Sequence, residues 1–468
     1  MSNGILPNYL SMPKPNPLEN RAPWYKNTAP AYAGIFLWVA FYMEIAKGAL
    51  AEAGLGLCLL GLVVAALICH YLFYLVPGLY GMKTGYPLYV VGSSTYGTKG
   101  GFLMPGLLMG ILQFCWLGVN VALSTTFILK AAKADPTPGG AWFIVVCIMW
   151  GLGAAFIGVL GIKYVAKVAT YLPIVPLVMI VIVFLSNVGT AGDFTPKVDG
   201  NALLGFLTII GTVVGFFATA GAAGVDFGMG SRDAKDVNLG GLVGIALAVV
   251  VAGGLPLIAV AGAHGANPDL GAFTFDKVIE QQETLGGIMF ILFAVASFAP
   301  ACFSSFIAAN SIGTMFPKGN KIVMVLIGAV VSIILAATGL ALQIVEMFKI
   351  IGASFGPICG AMVADYLLCG KKWSGPRKGI NWAGYISWAV GFVVAILPSA
   401  WVGGERFSFI TPAPVIAFVI GFVLYAVLAK AGLEPEVVPL GRPAEEAEVK
   451  SPATPIDVPE GAPEDPKN

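Results

Sequence analysis

The chain has 468 residues, of which 57% are hydrophobic and only 11% are charged, and its mean hydropathy is +0.85. A soluble globular protein carries about 25% charged residues, so this composition excludes an ordinary soluble fold and indicates an all-α protein that crosses the lipid bilayer several times. The formal net charge of +1 points to no charged partner, and we expect no nucleic-acid partner.

Twelve apolar segments follow one another along the chain, and most reach the roughly 20 residues that a helix needs to cross a ~30 Å hydrocarbon core. Residues 1–29 are polar and rich in proline and show no cleavable signal peptide, so we expect the first span to act as the insertion signal. The predicted spans lie near 30–50, 55–80, 102–130, 140–160, 166–186, 202–223, 238–263, 286–313, 321–343, 349–369, 382–402 and 411–430.

The basic residues predict the orientation of these spans. With a cytoplasmic N-terminus, fifteen Lys and Arg residues fall in the N-terminal tail and the inner loops against six in the outer loops, which follows the positive-inside rule. We therefore expect a multi-pass protein of the inner (plasma) membrane with both termini in the cytoplasm. The acidic outer segment 264–284 is predicted to be partly helical, and the Pro- and Glu-rich tail 432–468 is predicted to be disordered.

Known catalytic motifs are missing from the sequence. The seven cysteines all fall in apolar segments without CxxC spacing, which argues against both a disulfide framework and a zinc site. No HExxH, GxSxG or Walker motif occurs. We therefore predict a protein that is neither an enzyme nor an ATP-driven pump. A secondary transporter is the preferred class, with a passive channel and a transporter-like receptor as the alternatives.

Two adjacent hydroxyl residues lie in the eighth predicted span. Ser304 and Ser305 stand in ACFSSFIAANSI (301–312), together with Asn310 and with no charge nearby. A desolvated Na⁺ needs roughly five or six hard oxygens, so paired hydroxyls in a membrane segment indicate a cation site. Either serine alone more often bonds to its own helix backbone or joins two spans, and this structural role is the alternative.

Polar and aromatic side chains also share one face of the third span. Gln113, Trp116 and Asn120 recur at i, i+3 and i+7, an arrangement that would grip a flat polar molecule. The alternative is that Trp116 fills space while the amides bond to neighbouring helices. In the sixth span, GFFATAGAAG (215–224) combines three glycines with Thr219. It predicts either a helix break at mid-membrane or close helix packing.

Three charged residues stand in or at the ends of apolar segments. Glu44 and Lys47 are three residues apart in the first span, where an unpaired charge costs at least ~2.5–3.5 kcal/mol. We expect them to form an ion pair near the outer end, with a ligand role for Glu44 as the alternative. Asp365 lies at a cytoplasmic span end, where we expect a structural or gating role.

Five motifs, in register with the twelve spans, resemble the nucleobase:cation symporter family. They are YGMKTG (80–85), QFCWLGVN (113–120), GFFATAGAAGVDFGMGSRDAK (215–235), SSFIAAN (304–310) and GPICGAMVADY (356–366). The resemblance implies the leucine-transporter fold for a domain at 30–431, with two extra helices at about 382–430. It also implies five-helix inverted repeats at about 30–186 and 202–369, in which the first and sixth spans are broken.

The resemblance further implies which residues bind the ion. The hydroxyls of Ser304 and Ser305 stand at the family's Na⁺-ligand positions, and Phe36, Val39 and Ala301 stand where backbone carbonyls complete the shell. Sodium is therefore the expected coupling ion, with a proton as the alternative.

The resemblance also implies how the substrate is held. Trp116 and Phe217 stand at the two aromatic positions that sandwich the substrate ring. Stacking contributes about 0.5–1.5 kcal/mol beyond area burial, while unpaired amides discriminate far more strongly. The polar positions are Gln113, Thr219, Asn120 and Asn310, the first two matching one branch of the family and the last two another.

Three residues depart from the family's pattern and leave the substrate open. Glu44 and Lys47 stand in a stretch that is neutral in one branch of the family, and Phe306 replaces an amide. We expect a monomeric Na⁺-coupled importer of a small planar nitrogen heterocycle, either a cytosine or purine base or a hydantoin-like compound. The alternative is a H⁺-coupled symporter of a different nitrogen-containing solute, such as a ureide or a vitamin precursor.

Overall fold

The structure is a computed structural model that describes residues 6–160, 174–282, 285–316 and 318–440. Within these ranges the secondary structure is helical, and β-pairing is limited to two isolated bridges, Ala22 with Ser231 and Arg377 with Val437. The predicted all-α class is confirmed. Lys163, Lys167, the start of the predicted span at 166–186 and the tail beyond residue 440 lie outside the described residues.

The α-helical segments are numbered in chain order. They are α1 (Asn8–Ser11), α2 (Thr28–Phe36), α3 (Val39–Met43), α4 (Leu50–Thr84), α5 (Leu88–Val91), α6 (Ser93–Tyr96), α7 (Phe102–Ala131), α8 (Ala141–Leu160), α9 (Ile174–Asp193), α10 (Ala202–Ala222), α11 (Gly224–Gly228), α12 (Ala234–Ala266), α13 (Phe275–Glu280), α14 (Gly286–Met315), α15 (Lys321–Ala337), α16 (Ile344–Leu368), α17 (Trp382–Ile396) and α18 (Ala413–Leu433). Short 3₁₀ helices lie at Leu18–Asn20, Leu340–Leu342 and Gly404–Phe407.

Most of these helices match the predicted spans. In the described part of the chain, nine helices are long and apolar enough to cross a membrane, namely α4, α7, α8, α9, α10, α12, α14, α16 and α18. Two shorter apolar helices, α15 and α17, occupy the ninth and eleventh predicted spans, and α2 with α3 occupies the first. The count of twelve crossings stays a prediction.

The first and sixth spans differ in how they break. The first is interrupted between α2 and α3, where Trp38 adopts an extended backbone (φ −65°, ψ 130°). The glycine-rich part of the sixth span stays helical instead, and the interruption comes only at Ala223, between α10 and α11. Added Cβ atoms at Gly215 and Gly221 would lie 2.8 Å from neighbouring helices. These glycines therefore serve close packing, which offsets their low helix propensity.

Both ends of the described chain lie on one face of the helix bundle. Tyr9 and Leu440 belong to a single hydrophobic cluster with Val90 and Met315, and we call this side the terminal face. The tail start at 434–440 is held there, because Glu434 pairs with Arg377 at 2.8 Å and the Val438 N–H donates to the Pro376 carbonyl. The predicted disorder therefore does not extend to these residues.

The opposite face is covered by α13, which is the helical part of segment 264–284. Its apolar side chains Phe275, Val278 and Ile279 are buried. Lys130 at the end of α7 pairs with Asp276 and Glu280. Burial alone would raise the pKa of Asp276, but the Lys130 ammonium lowers it below its usual value, so the carboxylate stays charged.

Candidate substrate and cation sites

A cavity of about 500 Å³ lies between α2, α7, α10 and α14. This arrangement arises because α7 packs along α14 while α10 packs against α4 and α16. The cavity extends towards the terminal face, where Met315 belongs both to its lining and to the cluster of that face. Four predicted substrate residues line it: Gln113, Trp116, Thr219 and Asn310.

Aromatic rings dominate the middle of the cavity. Trp116 lies edge-on to Phe216 at 5.1 Å between ring centroids and to Trp38 at 6.0 Å. Trp38 comes from the break between α2 and α3, and it also contacts Phe303 of α14 at 6.2 Å. The break in the first span therefore presents an indole ring to the cavity. No sequence pattern indicated Trp38 or Phe303 as site residues.

The structure brings Phe216, and not Phe217, together with Trp116. Phe217 is absent from the cavity lining and stacks on Phe36 at 5.6 Å with an interplanar angle of 14°. One step along an α-helix turns a side chain by about 100°, so neighbouring residues face different surroundings. Phe216 lines the cavity.

The two predicted amides of α7 occupy different positions. Gln113 lines the cavity, and its Oε1 is buried without a hydrogen-bond partner among the described residues. Its Nε2 has only a weak acceptor, the Met109 Sδ at 3.7 Å. Asn120 lies outside the lining, and its Nδ2 donates to the Trp116 carbonyl at 2.8 Å. An unmet buried acceptor costs about 1–3 kcal/mol, so Gln113 is the side chain that a ligand would satisfy.

The predicted cation ligands lie on α14 and beside the break in the first span. Phe36 and Val39 flank that break, and α3 contacts α14. The Ser304 hydroxyl is buried and has no partner within the described ranges. Ser305 instead faces α8, where its hydroxyl donates to the Ala155 carbonyl at 3.4 Å. An unpartnered hydroxyl near an interrupted helix fits a hard-oxygen site for Na⁺, to which Ser304 would contribute directly.

Asp226 of α11 also lines the cavity, although it was not among the site residues predicted from the sequence. Its carboxylate accepts a hydrogen bond from the Leu88 N–H at 2.9 Å, and its side chain is accessible from the cavity. In the sequence, the feature that could have indicated Asp226 is an acidic residue between glycines in an otherwise apolar segment.

Comparisons with known proteins find permeases that are similar to this chain. The chain is 26% identical to cytosine permease of Escherichia coli K12 over 354 residues, which cover 72% of this chain and 79% of the relative. It is 25% identical to a putative allantoin permease of the same organism over 411 residues, covering 75% and 81%. No protein-family model matches the chain.

Solved transporters share the fold over nearly the whole chain. Mhp1, a nucleobase-cation-symport-1 family transporter solved in a closed conformation with bromovinylhydantoin bound, superposes with a TM-score of 0.63. It is 17% identical and covers 92% of this chain and 97% of its own. A Na⁺-coupled sialic acid symporter gives a TM-score of 0.55 at 14% identity, covering 92% and 93%. The resemblance to the nucleobase:cation symporter family is confirmed. The protein is a multi-pass transporter of the leucine-transporter fold and not an enzyme.

Glu44 and Lys47 lie away from the cavity of this transporter. Their side chains form an ion pair at 2.6 Å, in which Glu44 is 12% exposed and Lys47 is 54% exposed. Glu44 does not line the cavity, and Lys47 lines a second cavity of about 600 Å³ on the side of the opposite face. The geometry supports the structural pair over a ligand role for Glu44.

Asp365 is fully buried near the terminal face of the transporter. Its carboxylate pairs with Arg377 at 3.1 Å and accepts from the Ser94 hydroxyl at 2.6 Å. It joins α6, α16 and the segment before α17, and it is absent from the cavity lining. This position fits the structural role expected from the sequence.

Proposed function

We propose that the protein imports a small planar nitrogen heterocycle together with Na⁺ by alternating access. One observation carries the substrate class: the cavity combines the rings of Trp116 and Phe216 with the unmet amide of Gln113. The relatives support it, because they are named for cytosine and allantoin, and Mhp1 is described with bromovinylhydantoin. All three compounds are small nitrogen heterocycles.

The lining suits a ligand with a flat face and a polar edge. Aromatic side chains contribute about 0.5–1.5 kcal/mol beyond area burial when a ring stacks on them or meets them edge-on. The amides of Gln113 and Asn310 and the Thr219 hydroxyl, which line the same cavity, would pair with ring N–H and C=O groups. An apolar ring of equal size would leave Gln113 unpaired, so the amide gives selectivity while the rings give affinity.

The coupling ion is proposed to bind between Ser304 and the break in the first span. Trp38 lies within that break and lines the cavity, so ordering α2 and α3 against α14 would also fix one wall of the substrate site. Substrate and ion would then raise each other's affinity by the same factor. An inside-negative potential adds about 2.3 kcal/mol per charge per 100 mV to the driving force.

The conformation described here corresponds to an inward-facing state if the terminal face is cytoplasmic. The cavity extends towards that face, while α13 covers the other side. Phe275 of α13 packs together with Tyr42 and Phe293, with centroid distances of 5.5–6.1 Å. Outward opening would have to separate this aromatic layer and the Lys130–Asp276 pair.

We also propose a monomer in the inner membrane, with its tails at 1–29 and 432–468 in the cytoplasm and repeats at about 30–186 and 202–369. Tyr9 and Leu440 lie on the same face of the bundle, which supports an even number of membrane crossings between them. The basic residues Lys83, Lys99 and Arg232 follow the predicted inner loops.

Proton coupling is the second candidate, and Asp226 favours it. This carboxylate lines the cavity, where it would carry a proton inward together with the ligand. A proton-coupled transporter would show ligand binding that depends on pH and not on Na⁺.

A thermal-shift screen of the purified protein tests this proposal. Cytosine, adenine, guanine, hydantoin and allantoin are compared with an acyclic ureide, in Na⁺ and with Na⁺ replaced by choline. A ligand at 100 times its Kd stabilises by about 2.7 kcal/mol, so at least one ring should raise the melting temperature, more strongly in Na⁺. In the Trp116→Ala variant, the ring compound should no longer raise the melting temperature, whereas Na⁺ should still raise it. The proposal is wrong if no ring stabilises the protein, or if Trp116→Ala binds the ring normally.

A further inference from the structure

We propose that Asp226 selects for ligands that present N–H donors at the terminal-face end of the cavity and excludes ligands that carry a carboxylate there. This inference rests on the proposed transport of a nitrogen heterocycle and names the substrate class more closely. Neutral and cationic rings are accepted, whereas ring acids are rejected.

The charge of the cavity lining is the first argument. Asp226 is the only charged side chain among the described residues that line the cavity. The other lining residues with amide or aliphatic hydroxyl groups are neutral: Gln113, Thr219, Asn310, Ser311 and Thr314. A carboxylate on the ligand would therefore meet a like charge within a largely apolar enclosure, with no lysine, arginine or histidine of the described lining to balance it.

The position of the carboxylate is the second argument. Asp226 lies on α11, directly after the break that ends α10, and the Leu88 N–H holds its Oδ1 at 2.9 Å. Its side chain remains accessible from the cavity. An ionised carboxylate accepts hydrogen bonds through both oxygens and donates none, so it pairs with ring N–H or amino groups. Hydrogen bonds to a charged acceptor are roughly twice as strong as neutral ones.

Distance along the cavity separates this role from that of the aromatic rings. Trp116 and Phe216 contact each other, whereas Asp226 accepts a hydrogen bond from Leu88, whose neighbour Tyr89 packs against Tyr9 of the terminal face. The rings recognise the flat face of the ligand, and Asp226 recognises the charge and donor pattern of one edge. Inward release through this end would bring every ligand past the carboxylate.

Matched ligand pairs test the inference in the full-length purified protein. Each pair shares one ring and differs by a carboxylate: uracil with orotate, and hydantoin with hydantoin-5-acetate. Binding is measured by calorimetry or thermal shift at pH 7.5, where the carboxylate of each acid partner is ionised. The variants are Asp226→Asn and Asp226→Ser, which both retain an acceptor for the Leu88 N–H.

Asp233→Asn is the matched control. Asp233 is an exposed N-cap residue of α12 that does not line the cavity, and asparagine is an equally good N-cap. The same charge is removed from the same chain region, so a general change in protein charge would affect both variants alike.

We expect the wild type to bind a neutral ring at least about tenfold more tightly than its acid partner, because like charges repel strongly inside a protein. Asp226→Asn or Asp226→Ser should reduce this ratio to about threefold or less, and Asp233→Asn should keep it. Equal binding of both partners to the wild type overturns the inference and leaves the proposed function standing. An unchanged ratio in the Asp226 variants also overturns it. If no ring binds, both proposals fail.

Discussion

Replacing Asp365 by asparagine should destabilise the transporter strongly and leave the lining of its cavity unchanged. The Asp365 side chain is fully buried, and its Oδ1 lies 3.1 Å from the Arg377 Nη2. Its Oδ2 accepts from the Ser94 hydroxyl at 2.6 Å and from the Tyr80 hydroxyl at 3.3 Å, while the Tyr425 hydroxyl lies 3.3 Å from Oδ1. Asparagine keeps the shape of the side chain, removes its charge and turns one acceptor into a donor.

The expected loss of stability depends on the ion pair that Arg377 retains in the variant. Breaking a buried ion pair by removing one partner costs about 3–5 kcal/mol, because an uncompensated charge stays inside the protein. Arg377 is only 4% exposed, but its Nη2 also pairs with Glu434 at 2.8 Å. Since Glu434 supplies part of the lost compensation, we expect Asp365→Asn to cost about 3 kcal/mol, at the lower end of this range.

Chemical unfolding in detergent micelles measures this cost, and Glu436→Gln serves as the control. Glu436 pairs with Lys378 at 2.8 Å on the same face, but both side chains are about two-thirds exposed, so no measurable change is expected. An Asp365→Asn protein as stable as this control would refute the reasoning. Normal stability combined with lost uptake would assign Asp365 a gating role instead.

Three further predictions concern the candidate sites. Trp116→Ala should weaken binding of the heterocycle by about 1–3 kcal/mol, whereas Phe217→Ala should weaken it less, and calorimetry with the ring found in the screen checks both. Equal losses would favour the ring pair expected from the sequence. Ser304→Ala should abolish the Na⁺-dependent thermal shift while the protein stays folded, and an unchanged shift would remove this hydroxyl from the cation site. Glu44→Gln should lower the melting temperature, and adding Lys47→Met should restore it together with uptake. A stable double variant with altered ligand preference would return Glu44 to the substrate site.

Local patterns in the sequence were sufficient for features that depend on one helix. The i, i+3 spacing of Glu44 and Lys47 predicts the ion pair that the structure contains. Gln113 and Trp116 were placed on one face of the third span, and both line the cavity. Hydrophobic length located the spans within the described ranges, because crossing a bilayer imposes a minimum on every helix.

Features that depend on packing between distant segments were harder to predict. Whether Phe216 or Phe217 faces the cavity depends on the rotation of α10 about its axis, which the helices around it determine. Gly215 and Gly221 carry a poor helix propensity, but burial against neighbouring helices keeps α10 continuous. Asp226 is more than one hundred residues from Gln113, so only the fold shows that they share a cavity.

The buried cluster around Asp365 was also hard to predict from the sequence, because it depends on packing between distant segments. Asp365 lies at the end of a predicted span, where water can hydrate a carboxylate, yet its side chain is enclosed by Ser94, Tyr80, Arg377 and Tyr425. These partners come from widely separated positions in the sequence, and no spacing rule joins them. A structural or gating role was predicted for Asp365, whereas its burial and its partners were not.

Uptake into proteoliposomes tests the central claim most directly. Radiolabelled cytosine or hydantoin, whichever stabilises the purified protein, is supplied outside vesicles with an inward Na⁺ gradient, an equal K⁺ gradient or a pH gradient. Our account predicts transient accumulation above equilibrium only with the Na⁺ gradient, and its loss in Trp116→Ala. Uptake that is the same under all three gradients would contradict coupled transport, and accumulation driven by the pH gradient alone would contradict Na⁺ as the coupling ion.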